Sequence, residues 1–449
     1  MRKSRFPDSL VLIFGIVVLA HLSTYLLPAG EFEREGRTVL AGTYKVIEAD
    51  PLPWHAFLTL IPKGLSKAAD IIFFVFVIGG VIGVLRATGA IDGLIGGAIR
   101  RFEKKPLLLL AGMTTLFAVG SSTIGMAEEY MPFVPILVAM CIAMKFDAIV
   151  ALGIVYIGAG LGYGCAVLNP FTVMIAKEIA GLPPNSGMLL RWGLLALLLP
   201  VAIHHLWRYA SKIKADPSRS LVAGIDYSEG FELPKDTRLT SSHVLILSLL
   251  VAMIGVFIWG VQAHDWYLTE LMALFLGLAL VSGALARMSP NAIAQRFTAG
   301  AAEMTSTALL IGFARTIEVV LSEAHVIDTV VNGVAGSLDQ LGTQGAALGM
   351  LGVQSVCNAL IPSGSGQAYV TMPLMAPISD LTGVGRETAV LAYQFGDGFT
   401  NMLVPTNALL MGMLALGKIP YTAWLRFVLP LLIKIFLIAS VVLLITAGS

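Results

Sequence analysis

Three stretches of this sequence set charged side chains within apolar surroundings. Glu128 and Glu129 are adjacent and flanked by Met126, Ala127, Met131 and Pro132. A charge at bilayer depth costs at least about 2.5–3.5 kcal/mol, so each carboxylate needs a partner or a task. The tasks open to them are pairing with a cation or a substrate ammonium, or carrying a proton. The alternative is a helix cap that faces water. Asp397, between Gly396 and Gly398, faces the same choice. Arg315 sits in an apolar run with Glu318 three residues on, so the two share a helical face. A structural or gating ion pair is the expected role. Recognition of a substrate carboxylate is the sharper alternative.

Two further blocks are rich in hydroxyls and glycine: Gly120-Ser121-Ser122-Thr123-Ile124-Gly125 and Pro362-Ser363-Gly364-Ser365-Gly366. Both read as loops, each followed by an apolar stretch too short for a clean span. A helical hairpin that enters and leaves by one side fits this pattern. Non-helical backbone at membrane depth is tolerated only where it is buried in protein or lines a cavity. Its carbonyls and hydroxyls suit a partly dehydrated Na+, and helix N-terminal N–H groups suit a carboxylate. The alternative is a tight helix contact through small residues. Residues 147–182 would run about 54 Å as one helix at about 1.5 Å per residue, against a hydrocarbon core of about 30 Å. Breaks are expected at Gly158, Gly160, Gly162 and Gly164 and at Asn169-Pro170, where proline removes a donor. Gly396-Asp397-Gly398 and Pro405-Thr406-Asn407 predict the same farther on.

The elements that must carry these groups are membrane helices. The chain has 449 residues, of which 57% are hydrophobic and 13% charged, with a mean hydropathy of +0.83. A soluble protein carries about 25% charged residues, so an ordinary cytosolic enzyme is excluded. The net charge of +1 argues against nucleic acid as a partner. Cys141, Cys165 and Cys357 read as small packing residues rather than a disulfide framework. No GxxxxGK[ST] or HExxH occurs, and Ser365 lacks the glycine of a GxSxG elbow. His204-His205 reads as an interfacial pair at a helix end.

Arg2, Lys3 and Arg5 precede an apolar run from Leu10 to Pro28, expected to be a retained first helix with a cytoplasmic N-terminus. Residues 30–52 read as an exposed polar loop and 53–68 as an interfacial helix. Further apolar segments fall at 70–87, 106–120, 148–180 (interrupted), 188–207, 243–262, 268–286, 304–322, 341–360, 388–417 (interrupted) and 422–447. The polar stretch 208–242 and the cluster Arg100, Arg101, Lys104 and Lys105 both read as cytoplasmic. The spans between them count odd if 121–146 dips in and out, which leaves the topology there open.

The two halves share spacing. Ser122, Gly125, Met131 and Pro132 recur at the same intervals as Ser363, Gly366, Met372 and Pro373. Gly160, Gly162 and Gly181 recur as Gly396, Gly398 and Gly417, with Asn169-Pro170 and Pro405-Thr406 in equivalent places. Paired, interrupted apolar segments in two halves point to a secondary transporter.

Five blocks carry a resemblance: Gly125-Met126-Ala127-Glu128-Glu129, Asn169-Pro170-Phe171, Ser363-Gly364-Ser365-Gly366-Gln367-Ala368, Thr371-Met372-Pro373-Leu374 and Gln394-Phe395-Gly396-Asp397-Gly398-Phe399. In these the sequence resembles the YfcC-like branch of the DcuC/ArcD family of bacterial secondary transporters, over nearly the whole chain. The resemblance implies an all-α polytopic membrane protein of the ion transporter superfamily. It would have two pseudo-symmetric, inverted repeats, each with a re-entrant hairpin and a broken helix, working as an elevator in the bacterial inner membrane. Scaffold helices would lie at 1–105 and 243–340 and transport-domain parts at 106–183 and 341–420. A connecting helix and cytoplasmic loop would fill 184–242, and a C-terminal helix 421–449. Carried over by motif, Ser121, Ser122, Asn169, Ser363, Ser365, Thr406 and Asn407 would line the site. Gln367 and Asn401 complete that candidate lining together with Glu128, Glu129 and Asp397. Coupling to Na+ or H+ is expected, with Na+ at Ser122, Asn169, Ser365 and Thr406. The tips read Ser-Ser-Thr and Ser-Gly-Ser, whereas sodium-coupled relatives in the superfamily use a Ser-Asn-Thr type of motif. A homodimer in lipid, with no enzymatic activity, is implied.

The three acidic residues favour a small substrate with an amino group, such as a basic amino acid, whose carboxylate the tips would take. A C4-dicarboxylate or short-chain carboxylate is the runner-up and would need Arg315 or Na+ to offset its charge. A passive channel would need a continuous polar path, where the sequence offers short polar islands. A membrane enzyme would need a nucleophile–base pair, which no motif supplies.

Overall fold

The structure is a computed structural model that describes residues 9–36, 38–102, 104–227, 240–264, 266–336, 338 and 341–447. Arg2, Lys3 and Arg5, and Lys235 and Arg238 of the basic loop, lie outside the described residues. In hydrocarbon every backbone N–H and C=O must be satisfied within the chain, which leaves helices as the spanning element of an apolar sequence such as this. The first part comprises α1 (Ser9–Ser23), α2 (Ala56–Thr59), α3 (Ile61–Lys67), α4 (Ala69–Ala87) and α5 (Ala90–Phe102). Next come α6 (Pro106–Thr123), α7 (Phe133–Ala143), α8 (Ala148–Leu152), a π-helical turn (Gly153–Ile157), α9 (Gly158–Gly164), α10 (Val173–Ile179) and the long α11 (Met188–Ala215). After the connecting segment come α12 (Ser241–His264), α13 (Leu268–Leu285), α14 (Pro290–Ala302), α15 (Thr305–Glu323) and α16 (Ile327–Ala335). The chain closes with α17 (Thr343–Leu360), α18 (Gly364–Thr382), α19 (Arg386–Thr400), α20 (Ala408–Leu416) and α21 (Tyr421–Thr446). Among the described residues six helices, α4, α6, α11, α13, α15 and α21, are long and apolar enough to cross a membrane.

The helices form two packing groups. In one, α4 packs on α13, α14 and α15, and α15 also holds α1 and α3. In the other, α6 lies along α9, α17 along α19, and α9 crosses α19, with α10 and α18 alongside. Contacts of α15 with α20 and of α5 with α7 join the groups.

Several expectations are corrected here. Residues 30–52 are not a plain loop. They form two nested antiparallel pairs, β1 (Gly30–Glu31) with β4 (Lys45–Val46) and β2 (Arg34–Glu35) with β3 (Thr38–Val39). Arg34 reaches both carboxylate oxygens of Asp328 in α16 at 2.6 and 2.7 Å, and the Phe32 N–H donates to the same carboxylate at 3.0 Å. Residues 53–68 make two short helices, α2 and α3, rather than one. Helix α11 continues to Ala215, past the expected end at 207, so His204-His205 lies within it, where His205 bonds the Phe427 carbonyl at 2.9 Å. The three cysteines are buried and unpaired, as expected.

The glycine-rich runs expected to break helices are helical. Gly158, Gly160, Gly162 and Gly164 all lie in α9, and Gly396-Asp397-Gly398 lies in α19. Their purpose is close approach. A Cβ on Gly162 would stand 2.2 Å from the Ala118 carbonyl of α6, and one on Gly398 would stand 2.3 Å from the Gly164 nitrogen of α9. Small residues let membrane helices cross at such range. The real interruptions are 165–172 and 401–407, at the expected Asn169-Pro170 and Pro405-Thr406.

Candidate functional site

The first interruption is tied to the end of α6. This helix runs through Ser121, Ser122 and Thr123, so those residues are its last turn and not a loop. A helix end leaves carbonyls without intrahelical partners. The Ser122 carbonyl takes the N–H groups of Val167 and Leu168 at 2.9 and 3.1 Å. The Ser122 hydroxyl donates to the Cys165 carbonyl at 3.1 Å, and Asn169 Nδ2 donates to the Ser121 carbonyl at 3.1 Å. Asn169 Oδ1 accepts the Phe171 N–H at 2.9 Å, and the Ser121 hydroxyl donates to the Met126 carbonyl at 2.7 Å. Gly125 closes the joint. Its φ of +82° is left-handed, and a Cβ there would meet Asn169 Oδ1 at 2.7 Å. Tyr163 holds the Gly125 carbonyl at 2.8 Å.

The second interruption is tied to the end of α17 by side chains. Asp397 Oδ1 accepts Nδ2 of Asn358 at 2.9 Å and Nδ2 of Asn401 at 3.0 Å. Asn401 Oδ1 accepts Asn407 Nδ2 at 2.6 Å, while Asn407 Oδ1 caps α20 through the Leu410 N–H at 3.0 Å. Helix α18 starts at Gly364, so only Pro362 and Ser363 of the expected loop are non-helical. Ser363 is its N-cap, facing the Gly366 N–H at 3.4 Å. Gln367 is buried and donates to the Gln354 carbonyl and side-chain oxygen at 2.9 and 2.7 Å.

Between the two packing groups lies a cavity of about 380 Å³. Its lining takes Glu128 from the linker after α6, Ser363 from the linker after α17, Tyr156, Tyr163 and Ser365 from helical turns, Thr172 from the first interruption, and Asn401 and Asn407 from the second. It also takes Lys67 at the end of α3, Arg315 of α15 and Tyr267. Arg315 lies 2.6 Å from Glu318, whose other oxygen accepts Lys67 at 3.2 Å. Glu318 lies between Lys67 and Arg315 just behind the lining, and Glu128 is the carboxylate that lines the cavity itself. Lys67 and Arg315, bridged by Glu318, belong to one packing group, and Glu128 stands on the linker that follows α6 in the other. A molecule bearing both signs of charge fits this division. The size is that of a small-ligand site.

Of the residues selected from sequence, Glu128, Arg315, Ser363, Ser365, Asn401 and Asn407 line this cavity. Ser121, Ser122 and Asn169 lie behind it in the first joint, and Asp397 lies behind Asn401. Glu129 turns inward and accepts the Ala127 N–H at 2.7 Å, so the adjacent glutamates face different surroundings. Thr406 is buried, with a hydroxyl that has no partner. Sequence reasoning missed Lys67, Tyr156, Tyr163, Tyr267 and Thr172. Tyr156 and Tyr163 stand seven residues apart on the run leading to the first interruption, which was a usable signal. Lys67 had none, because α3 meets α15 across some 250 residues.

The family model for the C4-dicarboxylate anaerobic carrier (DcuC) matches residues 6–448. The chain is 32% identical over 489 residues to the Escherichia coli protein described as "Putative basic amino acid antiporter YfcC", covering 98% of this chain and 96% of that one. It is 30% identical to an uncharacterized Haemophilus influenzae protein over 490 residues, with the same shares. Among solved structures it is similar to Neisseria gonorrhoeae MtrF, described within a class of antimetabolite efflux pumps. There the TM-score is 0.42 and the identity 16%, covering 98% of this chain and 95% of that one. It is also similar to the Alcanivorax borkumensis YdaH transporter, at a TM-score of 0.44 and 15% identity over 98% of both chains.

Proposed function

The chain belongs to the DcuC family of carriers, a multi-pass membrane transporter and not an enzyme, and from that premise we propose that it carries a small amino acid. The observation that carries this reading is the cavity's charged lining, with Glu128 from one packing group and Arg315 and Lys67, which share Glu318, from the other. A substrate ammonium pairs with Glu128, and a substrate carboxylate with Arg315 or Lys67. Arginine donors suit a carboxylate through paired N–H groups. Basic amino acids come first, in keeping with the description of the E. coli relative. The second reading is a C4-dicarboxylate held by both cations. The family description favours it, while Glu128 in the same cavity opposes it.

The proposed mechanism is an elevator. The order helix, linker, helix, broken helix, long helix occurs over 106–215 and again over 343–446, which supports two repeats. The cavity between two packing groups supports movement of one group against the other, with the helices of 106–183 and 341–420 carrying the substrate. The setting proposed is the bacterial inner membrane, with a homodimer as the assembly.

The test is thermal stabilisation of the detergent-purified protein by arginine, lysine, neutral amino acids, succinate and fumarate. A ligand at a hundred times its dissociation constant stabilises by about 2.7 kcal/mol. Stabilisation by amino acids that is lost in Glu128→Gln is the expected result. Stabilisation by dicarboxylates alone, undiminished in Glu128→Gln, would replace this reading with the second.

A further inference from the structure

Asp397 is fully buried, yet only half of its carboxylate is used. Oδ1 takes the amides of Asn358 and Asn401, whereas Oδ2 accepts no hydrogen bond. Among the described residues no ion pair includes Asp397. A buried charge left without a counter-charge costs several kcal/mol. The groups around it are short of donors too. Asn358 Oδ1 and Thr400 Oγ1 are buried without a partner. Asn358 lies in the last turn of α17, whose terminal carbonyls have no intrahelical N–H and whose dipole favours a cation.

Carboxylate, amide, hydroxyl and carbonyl oxygens together make a hard donor set. A single carboxylate among them matches a single positive charge. Among the described residues no group of three or more His, Cys, Asp or Glu is placed to hold a metal, which leaves a divalent site without its usual ligands. We propose that Asp397, with Asn358 and the carbonyls that end α17, binds a sodium ion. Ser122 and Asn169, two of the four residues expected from sequence to hold sodium, spend their polar groups on the backbone of the first joint.

The position of this site also gives it a consequence. Asn401 donates to Asp397, accepts from Asn407, and lines the cavity. A cation on Asp397 fixes Asn401 and with it part of the substrate site's lining. This coupling rests on the amino-acid reading of the cavity; the sodium site does not.

The test uses the full-length protein in detergent, without substrate, at constant ionic strength set by choline chloride. Replacing choline by sodium should raise the unfolding midpoint saturably, and replacing it by potassium should raise it less. Asp397→Asn, checked as folded by circular dichroism and as monodisperse, should lose the sodium response. If that variant does not fold, Asn358→Ala should require at least about tenfold more sodium for half the shift. Absence of a sodium response in the wild type overturns the proposal, as does an undiminished response in Asp397→Asn or in Asn358→Ala. A midpoint that follows pH but ignores sodium also overturns it, since it assigns the carboxylate to a proton. Substrate affinity with and without sodium then tests the coupling, and a sodium response that persists where no amino acid binds would sink the amino-acid reading alone.

Discussion

Gly398→Ala should destabilise the protein even though alanine is the better helix former. The added Cβ would stand 2.3 Å from the Gly164 nitrogen, 2.5 Å from its Cα and 2.7 Å from the Tyr163 carbonyl carbon. Tight contact ends at 3.4 Å, so 3.4 − 2.3 leaves α9 and α19 roughly 1 Å too close. All three atoms are backbone within a helix, so no flexible side chain can swing away. Overpacking of this kind costs about 1–3 kcal/mol, and the rigid contact puts it at the upper end. Helix propensity returns about 1 kcal/mol, which leaves a net loss of about 2 kcal/mol. Gly112→Ala and Gly193→Ala are the controls. Each lies inside a helix with nothing within 4 Å of the new Cβ, so propensity acts alone and the variants should match or exceed the wild type. The assay is thermal unfolding in detergent, with the midpoint of Gly398→Ala several degrees below both controls. Tyr163 and Asn401 flank this crossing and line the cavity, so ligand stabilisation should fall as well. A Gly398→Ala protein as stable as the controls would refute the argument that these glycines serve close approach.

Asn169→Ala should cost about 1–3 kcal/mol, read as a lower unfolding midpoint, because it orphans the Ser121 carbonyl and the Phe171 N–H in a buried joint. Glu128→Gln and Arg315→Gln should each weaken amino-acid binding by about ten- to a hundredfold, the value of about 1.5–3 kcal/mol for a charged hydrogen bond. Their effects should separate in the ligand panel, since amines lacking a carboxylate sense Glu128 and carboxylates lacking an amine sense Arg315.

The two helix breaks were legible where a proline stands beside an amide side chain that can bond the freed backbone, at Asn169-Pro170 and Pro405-Thr406-Asn407, whereas Pro200, Pro373, Pro377 and Pro430 lie inside helices. The glycines misled for a physical reason. In water glycine weakens a helix, but in a packed membrane protein its missing Cβ is what lets α9 approach α6 and α19. The linker 361–363 was read too long because Ser363 caps α18 and lets the helix begin at once. The β-pairs at 30–46 could not be read, since strands of two residues leave no periodicity and are pinned by Asp328 almost 300 positions away. Of the site, the charges were visible and their arrangement was not. Adjacency joined Glu128 to Glu129, yet the fold turns Glu128 to the cavity and Glu129 to the Ala127 N–H. Lys67 enters only through the meeting of α3 with α15.

The central claim is that an amino acid crosses the membrane through the cavity between Glu128 and Arg315. Counterflow in proteoliposomes tests it directly, with unlabelled arginine inside and labelled arginine outside. The account predicts saturable accumulation of label whose half-saturating arginine concentration Glu128→Gln and Arg315→Gln, while remaining folded, each raise by about ten- to a hundredfold. Accumulation no greater than in empty liposomes for arginine and every other amino acid, alongside clear counterflow of succinate or fumarate, would contradict it.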